Sequence, residues 1–365
     1  MSPKLAIRPR LRPHLGFLEA AATPHGLDSY LEQVDPLLVK GECRAEIVGV
    51  EHGTEESVTL TLRPNRAWRG FRAGQLVNLA VEIDGVRHQR CYSPACAEGR
   101  GATLEITTKR HSEGLVSNFL VDRAEPGMVV GLSQAEGDFQ LPDPRPESVL
   151  LIGGGSGITP LMAILRTLFA EGYDSPVALL HYAPDADRCI YRAELERLAD
   201  AHPNFTLARS YTRAPGSGEL DGHFSPLHLP RSEPDFTAAE TFACGPPALL
   251  AAVRGTWANG LEQRLHVESF VPPTFVPVGE PGEGQVRFAN SDVEVTNSGE
   301  SLLAQAEAAG LTPEYGCRMG ICHTCTCRKR SGTHKNLLTG EVSSAPDEEI
   351  QLCVSAALGD LTVEI

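Results

Sequence analysis

Four cysteines near the C-terminus constrain this chain more than any other feature. Three lie in the run Cys317-Arg-Met-Gly-Ile-Cys322-His-Thr-Cys325, and a fourth, Cys353, follows at a distance. Cys-x4-Cys-x2-Cys with one remote cysteine is a ligand spacing of a [2Fe–2S] cluster. Thiolates are soft donors suited to iron–sulfur centres, and a tight loop of small residues can aim backbone N–H groups at the sulfurs. Two other readings exist. A disulfide fits poorly, because the cysteines bunch in one loop and nothing suggests secretion. A structural zinc site tends to use two Cys-x2-Cys-like knuckles, whereas one side here offers a single cysteine. Cys327 is left over and is expected to be a small buried hydrophobe on the strand leaving the loop.

At 365 residues the chain has room for two or three domains, each with an ample core. A formal net charge of −15 argues against a nucleic-acid partner and suits docking to a basic protein surface. Ten cysteines without a pairing pattern point to a reducing, cytoplasmic compartment, and no apolar run reaches the length of a membrane span. Residues 1–39 form a separate arm. Its start carries Lys4, Arg8, Arg10 and Arg12, while Pro3, Pro9 and Pro13 break any helix. A short helix is expected over Ser29–Val39.

Residues 40–145 read as strands. Ala45–Val50, Ser57–Leu62, Gln75–Ile83, Thr103–Thr108 and Met128–Leu132 alternate with period two between Gly and Pro turns, which predicts an antiparallel barrel. One helix is expected at Gly114–Asp122. Residues 146–272 change pattern. The apolar strand Ser148–Ile152 runs into a glycine cluster and a helix over 159–171. Strands at Pro176–Tyr182, Phe205–Tyr211 and Glu240–Cys244 then alternate with helical segments, which predicts a doubly wound parallel sheet. Residues 273–284 fall in a Pro/Gly-rich linker. Residues 285–365 open with two strands and a helix at Ser301–Ala309, carry the cysteine loop, and end on a strand at Leu361–Ile365. That is a small α+β body with a β-grasp-like order.

Several motifs accompany the cysteines. In Arg90-Cys91-Tyr92-Ser93-Pro94, period two puts Arg90 and Tyr92 on one face, offering a fork for phosphate and a flat surface for a ring. Ser93 adds a hydroxyl at the turn. Gly114-Leu-Val116-Ser117 opens a helix, where N–H groups face an anion, although such a start taken alone is more often a plain cap. Gly153-Gly154-Gly155-Ser-Gly157-Ile-Thr159-Pro160 joins a strand to a helix and lets backbone approach a pyrophosphate. It departs from the dinucleotide fingerprint by placing Pro160 where the third glycine belongs. Cys244-Gly245-Pro246 ends a buried strand at the carboxyl edge of the sheet. His181, His223 and His266 have no partners in a recognisable order and read as structural or surface. No nucleophile elbow is present, which sets hydrolase chemistry aside.

In this order the motifs resemble the ferredoxin–NADP reductase superfamily fused to a C-terminal plant-type ferredoxin, over about Lys40 to the C-terminus. The resemblance implies FAD, NADPH and a [2Fe–2S] cluster held by Cys317, Cys322, Cys325 and Cys353. It implies that Arg90, Tyr92, Ser93, Gly114, Val116 and Ser117 hold flavin. Gly153 to Gly155, Gly157, Thr159, Pro160, Cys244, Gly245 and Pro246 would serve the nucleotide. Ser93, Cys244, Glu268 and Phe270 would line the reacting rings, and Phe139 would touch the adenine of FAD. Tyr211 and Arg213 would meet the 2′-phosphate of NADPH, although Asp185 and Asp187 leave NADH open. Ser93-Pro94, Trp68–Gln75 and Glu349–Ser355 look closest to bacterial reductases serving membrane-bound fatty-acyl desaturases. That resemblance implies electron flow from NADPH to such an acceptor at the inner membrane. The reductase of a Rieske dioxygenase or diiron monooxygenase reads nearly the same. A zinc-stabilised binding module and a redox sensor are the readings from other classes.

Overall fold

The computed structural model describes residues 35–39, 42–99, 101–112, 114–229, 235–258, 260–270, 275–278 and 283–365. The basic arm, most of the expected Ser29–Val39 helix and half of the Pro/Gly-rich linker lie outside the described residues. Residues 35–39 form a turn rather than the end of a helix, closed by Leu38 N–H to the Asp35 carbonyl at 2.9 Å.

The first body is a six-stranded antiparallel sheet built from β1 (Arg44–Thr54), β2 (Ser57–Pro64), β3 (Val77–Ile83), β4 (Val86–Tyr92), β5 (Leu104–Lys109) and β6 (Val129–Leu132). The strand order is β4-β3-β6-β1-β2-β5. The ends meet just past β4, where Pro94 bridges Ile106 and Ala95 N–H reaches the Glu105 carbonyl at 2.8 Å. Alternation put Ile47, Leu60, Leu62, Leu79 and Ile106 inside, all essentially inaccessible to solvent. Helix α1 (Leu115–Arg123) covers one opening through Val116 and Leu120. β4 is the strand that periodicity did not delimit: Val-Arg-His-Gln-Arg-Cys-Tyr is polar along its length because it is an edge strand.

The second body is a five-stranded parallel sheet of β7 (Val149–Gly154), β8 (Val177–Ala183), β9 (Phe205–Tyr211), β10 (Glu240–Cys244) and β11 (Leu265–Glu268), ordered β11-β10-β7-β8-β9. Every residue of β7 and β8 is buried, as expected where helices cover both faces. The helices are α2 (Ile158–Ala170), α3 (Arg192–Ala201) and α4 (Pro247–Trp257). α4 was not foreseen. Its signal is Pro247 at the first helical position, directly after the Cys-Gly-Pro turn. Arg166 on α2 fastens this sheet to the first body. Its guanidinium donates to the Ala95 carbonyl at 2.7 Å and Glu105 Oε1 at 2.5 Å, and also to Glu194 of α3.

The third body holds β12 (Gln285–Phe288), β13 (Val293–Thr296), helix α5 (Leu302–Ala308), β14 (Thr326–Asn336), β15 (Val342–Ser343), β16 (Glu348–Gln351) and β17 (Ser355–Val363). The sheet runs β13-β12-β17-β14-β15, with β16 also pairing β14 and β12 parallel to β17. α5 packs Leu302, Leu303 and Ala306 onto Val286, Phe288 and Leu361. The last strand starts six residues earlier than expected, because Ser-Ala-Ala-Leu-Gly carries little β preference of its own and is recruited by pairing with β14.

Candidate functional site

The cysteine loop joins α5 to β14. Arg318, Gly320 and His323 adopt left-handed conformations (φ 58, 76 and 53°), which fold Cys317–Cys325 back on itself. The result aims backbone donors at sulfur. Met319, Ile321 and Cys322 N–H groups point at Cys317 Sγ at 3.2, 3.4 and 3.4 Å, and Cys317 N–H points at Cys322 Sγ at 3.1 Å. Arg318 is held by Glu307 at 2.9 Å and lies 3.8 Å over the Tyr315 ring.

All four predicted ligands are buried. Their thiols fall into two hydrogen-bonded pairs, Cys317 with Cys322 and Cys325 with Cys353. Hydrogen bonding from Cys317 pulls the Cys322 thiol far below the usual thiol range. The bond from Cys353 lowers Cys325 to about 7. Two thiol pairs, two of the thiols eased toward the thiolate, inside a ring of N–H donors are the donor set that a two-iron cluster takes. Cys327 stands apart on β14 as expected, but half-buried against the core rather than fully buried, because that strand faces solvent on one side.

Sequence reasoning assigned nothing to the flavin-side neighbours of this loop. Cys91 Sγ, on β4, lies within 4.8 Å of both Cys317 Sγ and Cys322 Sγ. It donates to Asn78 Oδ1 at 2.8 Å, on the paired residue of β3. The Asn78 amide in turn donates to Thr324 Oγ1 at 3.2 Å, and Leu76 packs on Cys317 and Cys322.

Arg90 is exposed near the end of β4 and lines a cleft with Glu314, Tyr315 and Thr324. Tyr92 is half-buried, its hydroxyl pushed up to about 12 by burial. Gly114 and the α1 start border a different cleft, with Glu82 and Asp84, so the structure does not bring Arg90 and Ser117 into one cavity. At Gly114 a Cβ would stand 2.2 Å from Ser117 Oγ and 2.9 Å from His111 Cβ, so a side chain there would have to push both aside. Val116 is buried.

Ser93 and Glu268 come together from chain positions 175 residues apart: Ser93 Oγ donates to Glu268 Oε2 at 3.4 Å. Glu268 is 3% exposed, and its Oε1 has no partner among the described residues. Burial pushes its carboxyl up to about 8, with Ser93 opposing only partly. Cys244, fully buried, neighbours Glu268 in the parallel pair β10–β11; its thiol is raised well above the usual range, first by burial and then by the Glu268 charge. A cavity of about 750 Å³ reaches from Glu268 past Arg254 to Met319, Ile321 and Leu338, so all three bodies border it. Phe139 lines it too, packed edge-on against Phe242. Phe270 is half-buried against the same core.

The glycine turn and the Cys-Gly-Pro turn are packed into each other where the strand order reverses between β7 and β10. A Cβ on Gly157 would lie 2.2 Å from the Cys244 carbonyl oxygen, and one on Gly154 would lie 2.7 Å from Pro246. Gly153 pairs with Cys244, and Gly245 would strike Gly154 N if it bore a side chain. Gly155 takes φ 55°, and Thr159 caps onto the Ser156 carbonyl at 3.1 Å just before Pro160. Such a crevice at a topological switch point is where open α/β sheets bind ligands.

At the far edge, Tyr211 is buried at the end of β9. Nearby cations are mostly taken: Arg188 by Asp185 and Glu56, Arg209 by Glu196 and Glu219. Arg213 is exposed, with no side-chain hydrogen bond or ion pair to any described residue. His181 is buried beside Cys189 Sγ at 3.5 Å, His266 pairs with Glu240 at 2.6 Å, and His223 is exposed.

Residues 50–141 match the oxidoreductase FAD-binding domain, 151–255 the oxidoreductase NAD-binding domain and 286–358 the 2Fe-2S iron-sulfur cluster binding domain. The chain is 37% identical to an NADPH oxidoreductase of Mycobacterium tuberculosis, over 94% of this chain and 90% of that one. It is 32% identical to the glycine betaine monooxygenase reductase subunit of Pseudomonas aeruginosa, over 80% and 87%. Among solved structures it is similar to phthalate dioxygenase reductase, described as a modular structure for electron transfer from pyridine nucleotides to [2Fe–2S]. That likeness has 25% identity and a TM-score of 0.55, over 89% of this chain and 98% of that one.

Proposed function

The chain belongs to the ferredoxin-reductase-type oxidoreductases that join FAD-binding, NAD-binding and C-terminal [2Fe–2S] domains, and from that premise we propose that it passes electrons from NADPH to an oxygenase. The observation that carries this reading is the seating of the cysteine loop against β3 and β4, beside the strand end that bears Tyr92 and Ser93. When bound, flavin converts a two-electron donor into single-electron steps and the cluster carries those electrons onward.

The chain's own work is positioning. Tyr92 and Arg90 offer flavin a flat face and a cation, and Gly114 to Ser117 offer its phosphates a helix start. Ser93 and Glu268 form a buried polar pair at the ring edge, with Glu268 holding its proton at neutral pH. Cys244 supplies a small wall against which a nicotinamide can lie, and the interlocked glycine turns let backbone approach its pyrophosphate. Cys317, Cys322, Cys325 and Cys353 hold the cluster.

The nucleotide is NADPH. Asp185, the acid that could serve an NAD ribose, is engaged by Arg188, whereas Arg213 remains open to a 2′-phosphate. Arg213→Ala is expected to raise KM for NADPH about tenfold, the worth of one charge-assisted contact of about 1.4 kcal/mol, and to leave KM for NADH unchanged. Steady-state kinetics with both coenzymes checks this, and an equal rise for NADH would remove the assignment.

For the acceptor we infer an oxygenase ahead of a fatty-acyl desaturase, reversing the order suggested by the sequence resemblance. The relatives above whose names state a system are reductases of a monooxygenase and a dioxygenase. Among the described residues no helix is long and apolar enough to cross a membrane. The deciding experiment is NADPH-driven turnover reconstituted in parallel with a soluble Rieske-type oxygenase and with desaturase-containing membranes. Product from the membranes alone would overturn the oxygenase reading.

A further inference from the structure

The third body does not hold its cysteine loop unaided; the first body reaches into it. Asn78 is 3% exposed, and both ends of its amide are fixed. Cys91 S–H donates to Oδ1 at 2.8 Å, so Nδ2 is turned toward Thr324 Oγ1 at 3.2 Å. Because Thr324 accepts that proton, its own hydroxyl proton must go elsewhere. It goes to the Cys322 carbonyl oxygen at 3.4 Å, with Cys322 Sγ and Thr324 Oγ1 both next to Gly316.

Gly316 makes this meeting possible. A Cβ there would lie 2.8 Å from Asn78 Oδ1, 2.8 Å from Cys322 Sγ and 3.0 Å from Thr324 Oγ1. Its backbone torsion does not demand glycine, so what the position supplies is space. Three polar atoms from two bodies converge on the volume that a methyl group would fill.

We propose that Asn78 and Cys91 are positioning residues for the cluster: oriented by Cys91, the Asn78 amide fixes the Thr324 hydroxyl toward Cys322 and so sets the cluster's reduction potential across the contact between the two bodies. Polar hydrogens held around a ligand residue, on its carbonyl and beside its sulfur, favour the more negative, reduced state, which raises the potential. The cluster is therefore a better electron acceptor when its loop is seated on β3 and β4 than when it is lifted away. This rests on the cluster assignment made above.

The test is a potentiometric measurement on the full-length protein, following the reduced cluster's electron paramagnetic resonance signal. A parent protein with no such signal overturns the cluster assignment and this inference with it. With the signal present, Asn78→Leu and Thr324→Val should each lower the reduced-to-oxidised ratio at a fixed potential about threefold, or about 28 mV at 59 mV per tenfold. The double variant should go no lower, because one residue acts through the other. Thr324→Ser, which keeps the hydroxyl, should match the parent. Cys91→Ala should move the same way as Asn78→Leu, and Cys91→Ser should not. Unchanged potentials in Thr324→Val and Asn78→Leu, or effects that simply add, would overturn the inference and leave the cluster assignment standing. If Asn78→Leu fails to take up the cluster, the Thr324→Val and Thr324→Ser pair decides alone.

Discussion

Cys322→Ser abolishes electron delivery to the acceptor protein while NADPH-dependent reduction of ferricyanide stays near the parent rate. The expected loss in the first assay is about 10³-fold or more, equivalent to about 4 kcal/mol at 1.36 kcal/mol per tenfold. Cys322 is one of a buried thiol pair and receives both backbone and side-chain donors, so an exposed serine-type ligation cannot simply take its place. Ferricyanide takes electrons from flavin directly, and the residues proposed to hold flavin lie on β4 and α1, outside the loop. Parallel assays on one preparation check this. Equal loss of both activities would mean that the loop supports the flavin body rather than the electron path.

Glu268→Gln gives the largest expected effect on stability, and its sign depends on pH. The folded carboxyl titrates at about 8 against 4.5 for the ordinary group, with burial as the cause. Below pH 4.5 both folded and unfolded states are protonated and the carboxyl is neutral in its effect. Between pH 4.5 and 8 the unfolded chain releases a proton that the folded chain keeps, so stability falls as pH rises. The cost grows to about 3 kcal/mol at pH 7 and about 5 kcal/mol above pH 8, at 1.36 kcal/mol per unit. Glutamine never ionises and still offers Ser93 an acceptor. The variant should therefore melt near the parent at pH 5 and roughly 10 °C higher at pH 8, taking about 2–4 °C per kcal/mol. Calorimetric scans at the two values, without nucleotide, check this; a constant gap would show that the carboxylate is ionised in the fold. That the parent retains so costly a carboxyl at its crevice is what a residue kept for chemistry looks like.

What could be read from the chain beforehand follows the range of the forces involved. The apolar run of β7 and the glycines after it announce themselves locally, and so do the four cluster ligands, three of which fall within nine residues. β4 hid because an edge strand needs no apolar alternation. Cys91 lay in plain view between Arg90 and Tyr92, but its partners come from a loop more than two hundred residues away, and Asn78 meets Thr324 across 246. The unusual proton of Glu268 is likewise a product of burial that only packing creates. Among the arginines after β8, sequence could nominate Arg213, but the ion pairs engaging Arg188 and Arg209 are what leave it open.

The seating of the third body has a further consequence, for solubility. β4 is an outer strand whose only pairing is with β3 until Pro94 turns in to meet β5. Its free edge over Arg87–Arg90 runs beside Pro313–Tyr315, and the apolar surface of Leu76 next to it is capped by Cys317, Met319 and Cys322. Cutting the chain after residue 270 would remove the cap over Leu76 and lay the Cys91 thiol bare. A bare thiol can cross-link copies of the chain. The cysteine-bearing body thus also shields an apolar patch and a thiol of the flavin body from solvent.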